Sequence, residues 1–267
     1  MSNPTESLFP YVVVPALSPG AQGRLVPAYA QRAAATWIDA FLLSGSTTRG
    51  DLLSVGQRAS LIDQWLEHLP AHRLIACCWT DHDVQEAARR QVPAMVVMRD
   101  LPSQQAALDL FATLPTGTYV YSHPMYSPAT LDAALAAAAA AAGVLPAGGK
   151  IAKIGLAEIA QLRAATGPGF RLWDGSSRDI AARLQAGAEG VIATPLCHLP
   201  TPFPSQDLPV LQAALDYVQA ELDALPTRPQ RTSLLLTYAF GDEPSSLNGV
   251  DSPGVDADVN ASQAGGA

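Results

Sequence analysis

The chain has 267 residues, of which 48% are hydrophobic and 15% are charged, so one large domain with a sizeable core is expected. A net charge of -8 at pH 7 and an isoelectric point near 5.0 argue against nucleic-acid binding, because phosphate contacts need clustered lysines and arginines. The N-terminal residues lack a basic segment followed by an apolar one, and no uninterrupted apolar run is long enough to cross a membrane, which predicts a cytoplasmic protein.

Eight short apolar runs follow one another along the chain, with helical stretches between them. This order is typical of βα units around a parallel sheet rather than of a sandwich. The runs are residues 11–16, 38–44, 73–79, 94–98, 118–122, 150–154, 170–173 and 190–194. The pattern predicts a (β/α)8 TIM barrel, whose active site lies at the C-terminal ends of the strands.

Alanine-rich stretches separate these runs, and alanine is the strongest helix former. A helix over residues 208–225 follows the eighth strand and is expected to close the barrel, which gives a barrel domain over residues 8–225. Residues 226–267 are predicted to form an extension with a short helical part. From about residue 242 the extension consists mainly of Gly, Ser, Pro, Asp and Asn, which predicts disorder.

Cysteines and histidines give no sign of a disulfide or a metal site. The cysteine count is odd, and the adjacent pair lies inside an apolar run, so reduced core thiols are expected. The histidines at positions 72, 82, 123 and 198 do not have the spacing of metal ligands. No metal site is therefore implied.

The lysines are the most informative residues for chemistry. The chain has fourteen arginines but only two lysines, Lys150 and Lys153, and both fall in the sixth predicted strand. A lysine buried in a barrel strand is costly to desolvate, and burial favours the neutral amine, which attacks carbonyl groups. Lys150 follows two glycines and is interpreted as the solvated beginning of the strand. Lys153 lies nearer the C-terminal end and is the preferred candidate.

Two other segments end at the same edge of the predicted sheet. The fifth strand places Tyr119 and Tyr121 on one face, where a tyrosine hydroxyl would either transfer protons or fill the interior. Residues 45–51 after the second strand are rich in glycine and hydroxyl side chains, whose amides and hydroxyls would hold a carboxylate. The candidates in this loop are Ser46, Thr47 and Thr48.

Together these segments resemble the dihydrodipicolinate synthase and N-acetylneuraminate lyase family, whose members are class I aldolases on a (β/α)8 barrel. The resemblance covers roughly residues 8–225. The family's Gly-[Ser/Thr]-Thr-Gly-Glu loop binds the carboxylate of a 2-keto acid and is similar to residues 45–51. In this chain Arg49, Gly50 and Asp51 stand where Gly-Glu is usual, so the loop is altered.

The resemblance also assigns a tyrosine and a lysine. The family's Tyr-Asn-x-Pro segment carries its catalytic tyrosine and matches residues 121–124, with Ser122 in place of asparagine, which makes Tyr121 the proton-transfer residue. The Schiff-base lysine lies in a Gly-[Ile/Leu]-Lys-[Asp/Glu] strand, to which residues 151–153 are similar. A gap-free register of the following helix would instead select Lys150, so the choice between Lys150 and Lys153 stays open.

Other positions depart from the family pattern. Dihydrodipicolinate synthases have a second tyrosine after strand four and an arginine after the Tyr-Asn-x-Pro segment, and the counterparts in this chain are Arg99 and Tyr126. Lysine biosynthesis is therefore not implied, and Arg99 becomes a candidate for binding a second anionic group. The family's C-terminal helices look curtailed after Leu225, and the expected assembly is a homo-oligomer, either dimer or tetramer.

The resemblance implies a Schiff-base lyase or aldolase that acts on pyruvate or another 2-keto acid without a cofactor. Lys153 would form the imine, whose protonated nitrogen stabilises a carbanion at the adjacent carbon. Two alternatives stay open. One is a keto-acid or sugar-acid dehydratase on the same barrel, and the other is an inactive ligand-binding homologue, in line with the altered residues 49–51 and Ser122.

Overall fold

The computed structural model describes residues 10–18 and 24–241. Within these ranges eight parallel strands follow the chain order around a closed barrel, and the first strand hydrogen bonds to the eighth. The predicted (β/α)8 fold is therefore confirmed. The predicted disorder from about residue 242 lies outside the described residues, as do the first two residues of the predicted barrel domain.

The strands and helices alternate as the apolar runs indicated. The strands are β1 (Tyr11–Pro15), β2 (Ala40–Leu43), β3 (Leu74–Cys78), β4 (Ala94–Val97), β5 (Tyr119–Ser122), β6 (Gly148–Ile151), β7 (Arg171–Asp174) and β8 (Gly190–Ile192). The helices are α1 (Pro27–Ala34), α2 (Val55–Leu66), α3 (Asp81–Arg89), α4 (Gln104–Thr113), α5 (Ala133–Ala141), α6 (Leu156–Thr166), α7 (Ile180–Gln185), α8 (Leu208–Asp223) and α9 (Arg228–Phe240). None of the described helices is both long and apolar enough to cross a bilayer.

The sixth strand begins and ends earlier than its predicted range of 150–154. Gly148 and Gly149 belong to β6 because the neighbouring strands approach closely there: a Cβ on Gly148 would lie 2.4 Å from the carbonyl oxygen of Arg171. Lys150 therefore lies inside the strand, paired in register with Tyr121 of β5. Lys153 follows the end of the strand.

Side chains that point into the barrel alternate with side chains that pack against the helices, as the pleat of a strand requires. Aromatic rings fill the N-terminal end of the interior. The Trp173 ring lies 5.8 Å from the Tyr11 ring and 4.8 Å from the Tyr119 ring, measured between centroids. This end is packed with rings, so polar chemistry is confined to the opposite, C-terminal mouth.

Helix α9 lies inside the predicted extension and packs against the barrel. Arg228, Thr232, Leu235 and Ala239 are spaced by four, three and four residues, so they share one face of the helix. Leu235 and Ala239 are buried in the main hydrophobic core between barrel and helices. The barrel and the predicted extension are thus in direct contact through this face.

Candidate active site

The turn after β2 and the end of β5 meet at the C-terminal mouth of the barrel. Residues Ser46–Thr48 form a short 3-10 turn directly after β2. The Ser46 and Tyr121 hydroxyl oxygens are 3.2 Å apart, within hydrogen-bonding distance, and both side chains are buried. The sequence predicted both residues from separate motifs, and the fold brings them together.

Lys150 completes this group from β6. Its Nζ lies 3.9 Å from the centroid of the Tyr121 ring, and the residue is only 6% exposed. Among the described residues no carboxylate forms an ion pair with Lys150, and its amine packs against the π face of Tyr121. A buried amine without a counter-ion, beside two hydroxyl groups, is an arrangement suited to nucleophilic chemistry.

The structure places Lys153 elsewhere. It is exposed, and it lies beyond β6 in the left-handed backbone region, with φ of 61°. Of the two candidate lysines, only Lys150 contacts Tyr121 among the described residues. The geometry therefore favours the register that the gap-free comparison of the following helix indicated.

The turn itself offers two free amides. The Thr48 amide and hydroxyl both donate to the Gly45 carbonyl oxygen, each at 3.2 Å. The amides of Ser46 and Thr47 precede the first hydrogen bond of the turn and donate to no described residue. Ser46 and Thr47 can thus bind an anion through backbone and side chain, whereas Thr48 is occupied within the turn.

A buried ion pair between Arg58 and Asp83 supports the turn. Arg58 Nε donates to Asp83 Oδ1 at 2.8 Å, and the Arg58 Nη1 donates to the carbonyl oxygens of Gly50, at 3.0 Å, and Leu53. Asp83 Oδ2 also accepts from the backbone amide of Trp79 at 2.9 Å. The pair therefore links the end of the β2 loop, helix α2 and the beginning of helix α3.

Three aromatic rings line the mouth beside Tyr121. The Tyr126 ring lies 5.8 Å from Tyr121, 5.5 Å from Trp79 and 5.6 Å from His123. Arg228 of α9 donates from Nη1 to the Tyr126 hydroxyl at 3.1 Å. Burial raises the pKa of Tyr126, although the bond from Arg228 opposes this effect.

The charged groups that act on His123, one of these three rings, are cations. Burial lowers the pKa of His123 to about 4, with further lowering by the charges of Lys150, Arg228 and Lys153. The described residues contain no group of three side chains able to hold a metal ion. In a chain with a net charge of -8, a cationic mouth favours an anionic ligand.

Arg99 stands apart from these residues. It follows β4 on the correct side of the barrel, but its side chain is half exposed and forms an ion pair with Asp100 at 2.9 Å. None of the described contacts joins Arg99 to Lys150, Tyr121 or Ser46. Its role in binding a second anionic group stays a prediction.

Sequence reasoning missed three residues of the mouth. Trp79 Nε1 donates to the Ser44 carbonyl oxygen at 2.9 Å and so fixes the end of β2. Arg228 and Thr232 come from α9, which was not delimited. A signal was present, because Thr227 and Gln230 form a capping box, the Thr-x-x-Gln pattern that begins many helices.

The described residues form a (β/α)8 barrel with a polar mouth, and solved structures with the same fold are found by comparison. A dihydrodipicolinate synthase from Thermotoga maritima is 18% identical, with a TM-score of 0.62 over 85% of this chain and 80% of that chain. A variant of 2-keto-3-deoxygluconate aldolase from Sulfolobus solfataricus is 15% identical, with a TM-score of 0.66 over 87% and 86%. The 2-keto-3-deoxygluconate aldolase from Picrophilus torridus is 10% identical, with a TM-score of 0.67 over 86% and 93%.

These likenesses establish the fold, since the identities are low. The sequence matches no protein-family model and no curated relative. The resemblance that the motifs indicated is nevertheless confirmed at the level of the fold, because the similar structures include both dihydrodipicolinate synthases and keto-acid aldolases.

Proposed function

We propose that this protein is a class I lyase or aldolase in which Lys150 forms a Schiff base with pyruvate or another 2-keto acid. The observation that carries the proposal is the Lys150–Tyr121–Ser46 group, in which a buried amine faces a tyrosine whose hydroxyl is within hydrogen-bonding distance of a serine. The similar structures include keto-acid aldolases, which agrees with this chemistry.

The proposed reaction uses each member of the group. The neutral amine of Lys150 attacks the C2 carbonyl carbon, and loss of water from the resulting carbinolamine gives an imine. Its protonated nitrogen accepts the electron pair released when the C3–C4 bond breaks, which leaves an enamine on Lys150. In the reverse direction the enamine supplies this pair to an aldehyde carbon as the bond forms, and the protonated imine is regenerated. Tyr121 carries protons to and from the reacting oxygen atoms, and Ser46 holds its hydroxyl in place.

The turn after β2 would bind the substrate carboxylate. The free amides of Ser46 and Thr47 and the Ser46 hydroxyl supply donors beside Tyr121. Binding there would hold the carbonyl carbon near Lys150 and so favour attack. Thr48 would act through the shape of the turn, and Arg99 is kept as a candidate for a second anionic group.

The altered residues of the family pattern do not argue strongly for an inactive homologue. Arg49 and Asp51 pair with each other at 3.4 Å, both partly exposed, and leave the Ser46 and Thr47 amides free. Ser122 accepts a hydrogen bond from the Leu131 amide at 2.8 Å, which gives this serine a structural partner. Ligand binding without chemistry stays the main alternative to be tested.

Borohydride trapping with pyruvate tests the proposal and separates the two lysines. We expect an adduct on the wild-type protein that peptide mapping assigns to Lys150, because this is the lysine buried against Tyr121. Lys150→Arg should abolish trapping, whereas Lys153→Arg, an exposed matched control, should retain it. An adduct on Lys153 would contradict the choice of Lys150 and support the lysine that the strand position in the sequence favoured.

Further outcomes separate the alternatives. If folded protein binds pyruvate, by calorimetry, but gives no adduct, the inactive ligand-binding protein is favoured. If a sugar-acid substrate is trapped and its product retains every carbon, the enzyme is a dehydratase. A product with fewer carbons, or with more when pyruvate and an aldehyde are supplied together, identifies a lyase or aldolase. Oligomeric state, predicted as dimer or tetramer, is measured on the same samples by light scattering.

A further inference from the structure

Two residues on one face of helix α9, one turn apart, contact opposite sides of the mouth. Arg228 reaches Tyr126 on the β5 side, as described above. One turn later, the Thr232 hydroxyl donates a hydrogen bond of 2.7 Å to the carbonyl oxygen of Thr47, on the β2 side. The two residues of this contact are 185 positions apart in the sequence, so only the folded chain brings them together.

The rest of the same face anchors the helix. Leu235 and Ala239 are buried in the core, and the Phe240 ring lies 5.3 Å from the Tyr29 ring. Arg32 of α1 donates to the Ala239 carbonyl oxygen at 2.6 Å. Thr232 is therefore presented from a fixed support rather than from a free chain end.

The Thr47 carbonyl is well placed to control the proposed carboxylate site. Thr47 and its neighbour Ser46 carry the two amides that donate to no described residue. The internal bonds of the turn come from the amides of Thr48, Arg49 and Gly50 and leave the Thr47 carbonyl without a partner inside the turn. The Thr47 carbonyl shares a planar peptide unit with the Thr48 amide, which donates to the Gly45 carbonyl oxygen, so the bond from Thr232 fixes this unit from a second side. The Thr47 amide is separated from this fixed unit only by the two backbone rotations of Thr47, so the bond also restrains the turn that carries the two amides.

We propose that Thr232 is a positioning residue for the proposed reaction, which holds the Ser46–Thr47 turn in the orientation that receives the substrate carboxylate. This inference rests on the proposed function. Thr232 acts through Thr47 and contacts neither the substrate nor Lys150. Its effect is therefore on the binding of carboxylate-bearing carbonyl compounds rather than on the amine chemistry.

The test compares trapping of two carbonyl compounds by variants at Thr232. Thr232→Val removes the hydroxyl with little change of shape, Thr232→Ser retains it, and Thr237→Val alters an exposed threonine of the same helix as the control. Borohydride trapping is measured against concentration for pyruvate, and for acetone, which has the ketone but lacks the carboxylate.

We expect Thr232→Val to raise the half-saturating pyruvate concentration about three- to tenfold, the range that loss of one hydrogen bond gives. The trapping rate at saturation and the half-saturating acetone concentration should stay within about twofold of wild type, because neither depends on the hydrogen bond that orients the carboxylate site. Thr232→Ser and Thr237→Val should behave as the wild-type protein does.

Several results would overturn the inference. One is an unchanged pyruvate curve for Thr232→Val, and another is an equal shift for acetone, which would show a general loss of structure. If Thr232→Val does not fold, the same comparison between Thr232→Ala and Thr232→Ser decides, because only the serine retains the hydroxyl. Absence of any adduct in folded wild-type protein would refute the proposed function itself, and the role of Thr232 with it.

Discussion

Lys150 Nζ lies 3.9 Å from the centroid of the Tyr121 ring, while the hydroxyl of the same tyrosine is within hydrogen-bonding distance of Ser46. Tyr121 thus presents two different groups to the site. Its π face packs against the Lys150 amine, which has no carboxylate partner among the described residues, and its hydroxyl is placed for proton transfer. The two roles can be separated by substitution.

Tyr121→Phe retains the ring and removes the hydroxyl. We expect the pyruvate adduct on Lys150 still to form, while turnover falls by about 10²- to 10⁴-fold, the usual contribution of a general acid-base group. Tyr119→Phe is the control, because Tyr119 packs against Trp173 at the closed end of the barrel. Steady-state turnover measures the loss of proton transfer, and the mass of the trapped protein measures formation of the adduct on Lys150. Equal turnover in both variants would rule out proton transfer by Tyr121.

The turn that carries Ser46 depends on Gly50. A Cβ at this position would lie 1.7 Å from the Ser44 carbonyl oxygen, which is backbone and cannot move away cheaply. We therefore expect Gly50→Ala to lower the free energy of unfolding by about 2–3 kcal/mol, near the upper part of the range for overpacking. Displacement of the turn should also weaken pyruvate binding.

Gly56 provides the matched control for this substitution. It lies on the exposed side of α2, where a Cβ would meet nothing within 4 Å. Gly56→Ala should raise the free energy of unfolding by up to about 1 kcal/mol, because alanine is the better helix former. Chemical denaturation measures both variants, and a stability loss at Gly56 equal to that at Gly50 would contradict the steric explanation.

His123 gives a pH dependence of stability with a defined sign. Its folded pKa of about 4 lies below the value of about 6.5 for an unperturbed histidine, so the unfolded chain binds the proton first as the pH falls. The stability that neutral His123 contributes is complete above about pH 6.5 and is lost as the pH falls towards 4.

His123→Asn should therefore lose less stability than the wild type between these two pH values. Denaturation curves of the two proteins are compared across this range, with His82→Asn as the control at an exposed histidine. The comparison cancels Asp174, whose pKa burial raises to about 6 and whose effect in this window has the opposite sign. Identical curves for wild type and His123→Asn would contradict the assigned pKa.

Much of the fold was predictable because buried parallel strands are short apolar runs. Seven of the eight strands lie within two residues of the predicted runs at each end. The exception, β6, begins with two glycines, which ordinarily mark a turn. Close approach of the neighbouring strands is what requires glycine at Gly148, and no local pattern carries that information.

The lysine assignment depended on the same two glycines. Reading the strand as residues 150–154 put Lys153 near its C-terminal end, whereas the observed register puts Lys150 inside the barrel. Tyr121 and Ser46 were found from motifs because each lies at a strand end, where local sequence and position agree. The contact of Thr232 with Thr47 could not be found in this way, since it joins two distant segments.

All eight strands of the barrel precede α9 in the chain, whereas two contacts of the mouth come from α9 itself. Eight βα units are complete once α8 has formed, so a fragment ending near residue 225 already contains every strand of the barrel. It lacks Arg228 and Thr232, and it exposes the apolar surface that Leu235 and Ala239 cover. Loss of the chain after residue 225 would therefore leave the strands of the barrel present but remove both contacts that α9 makes with the mouth.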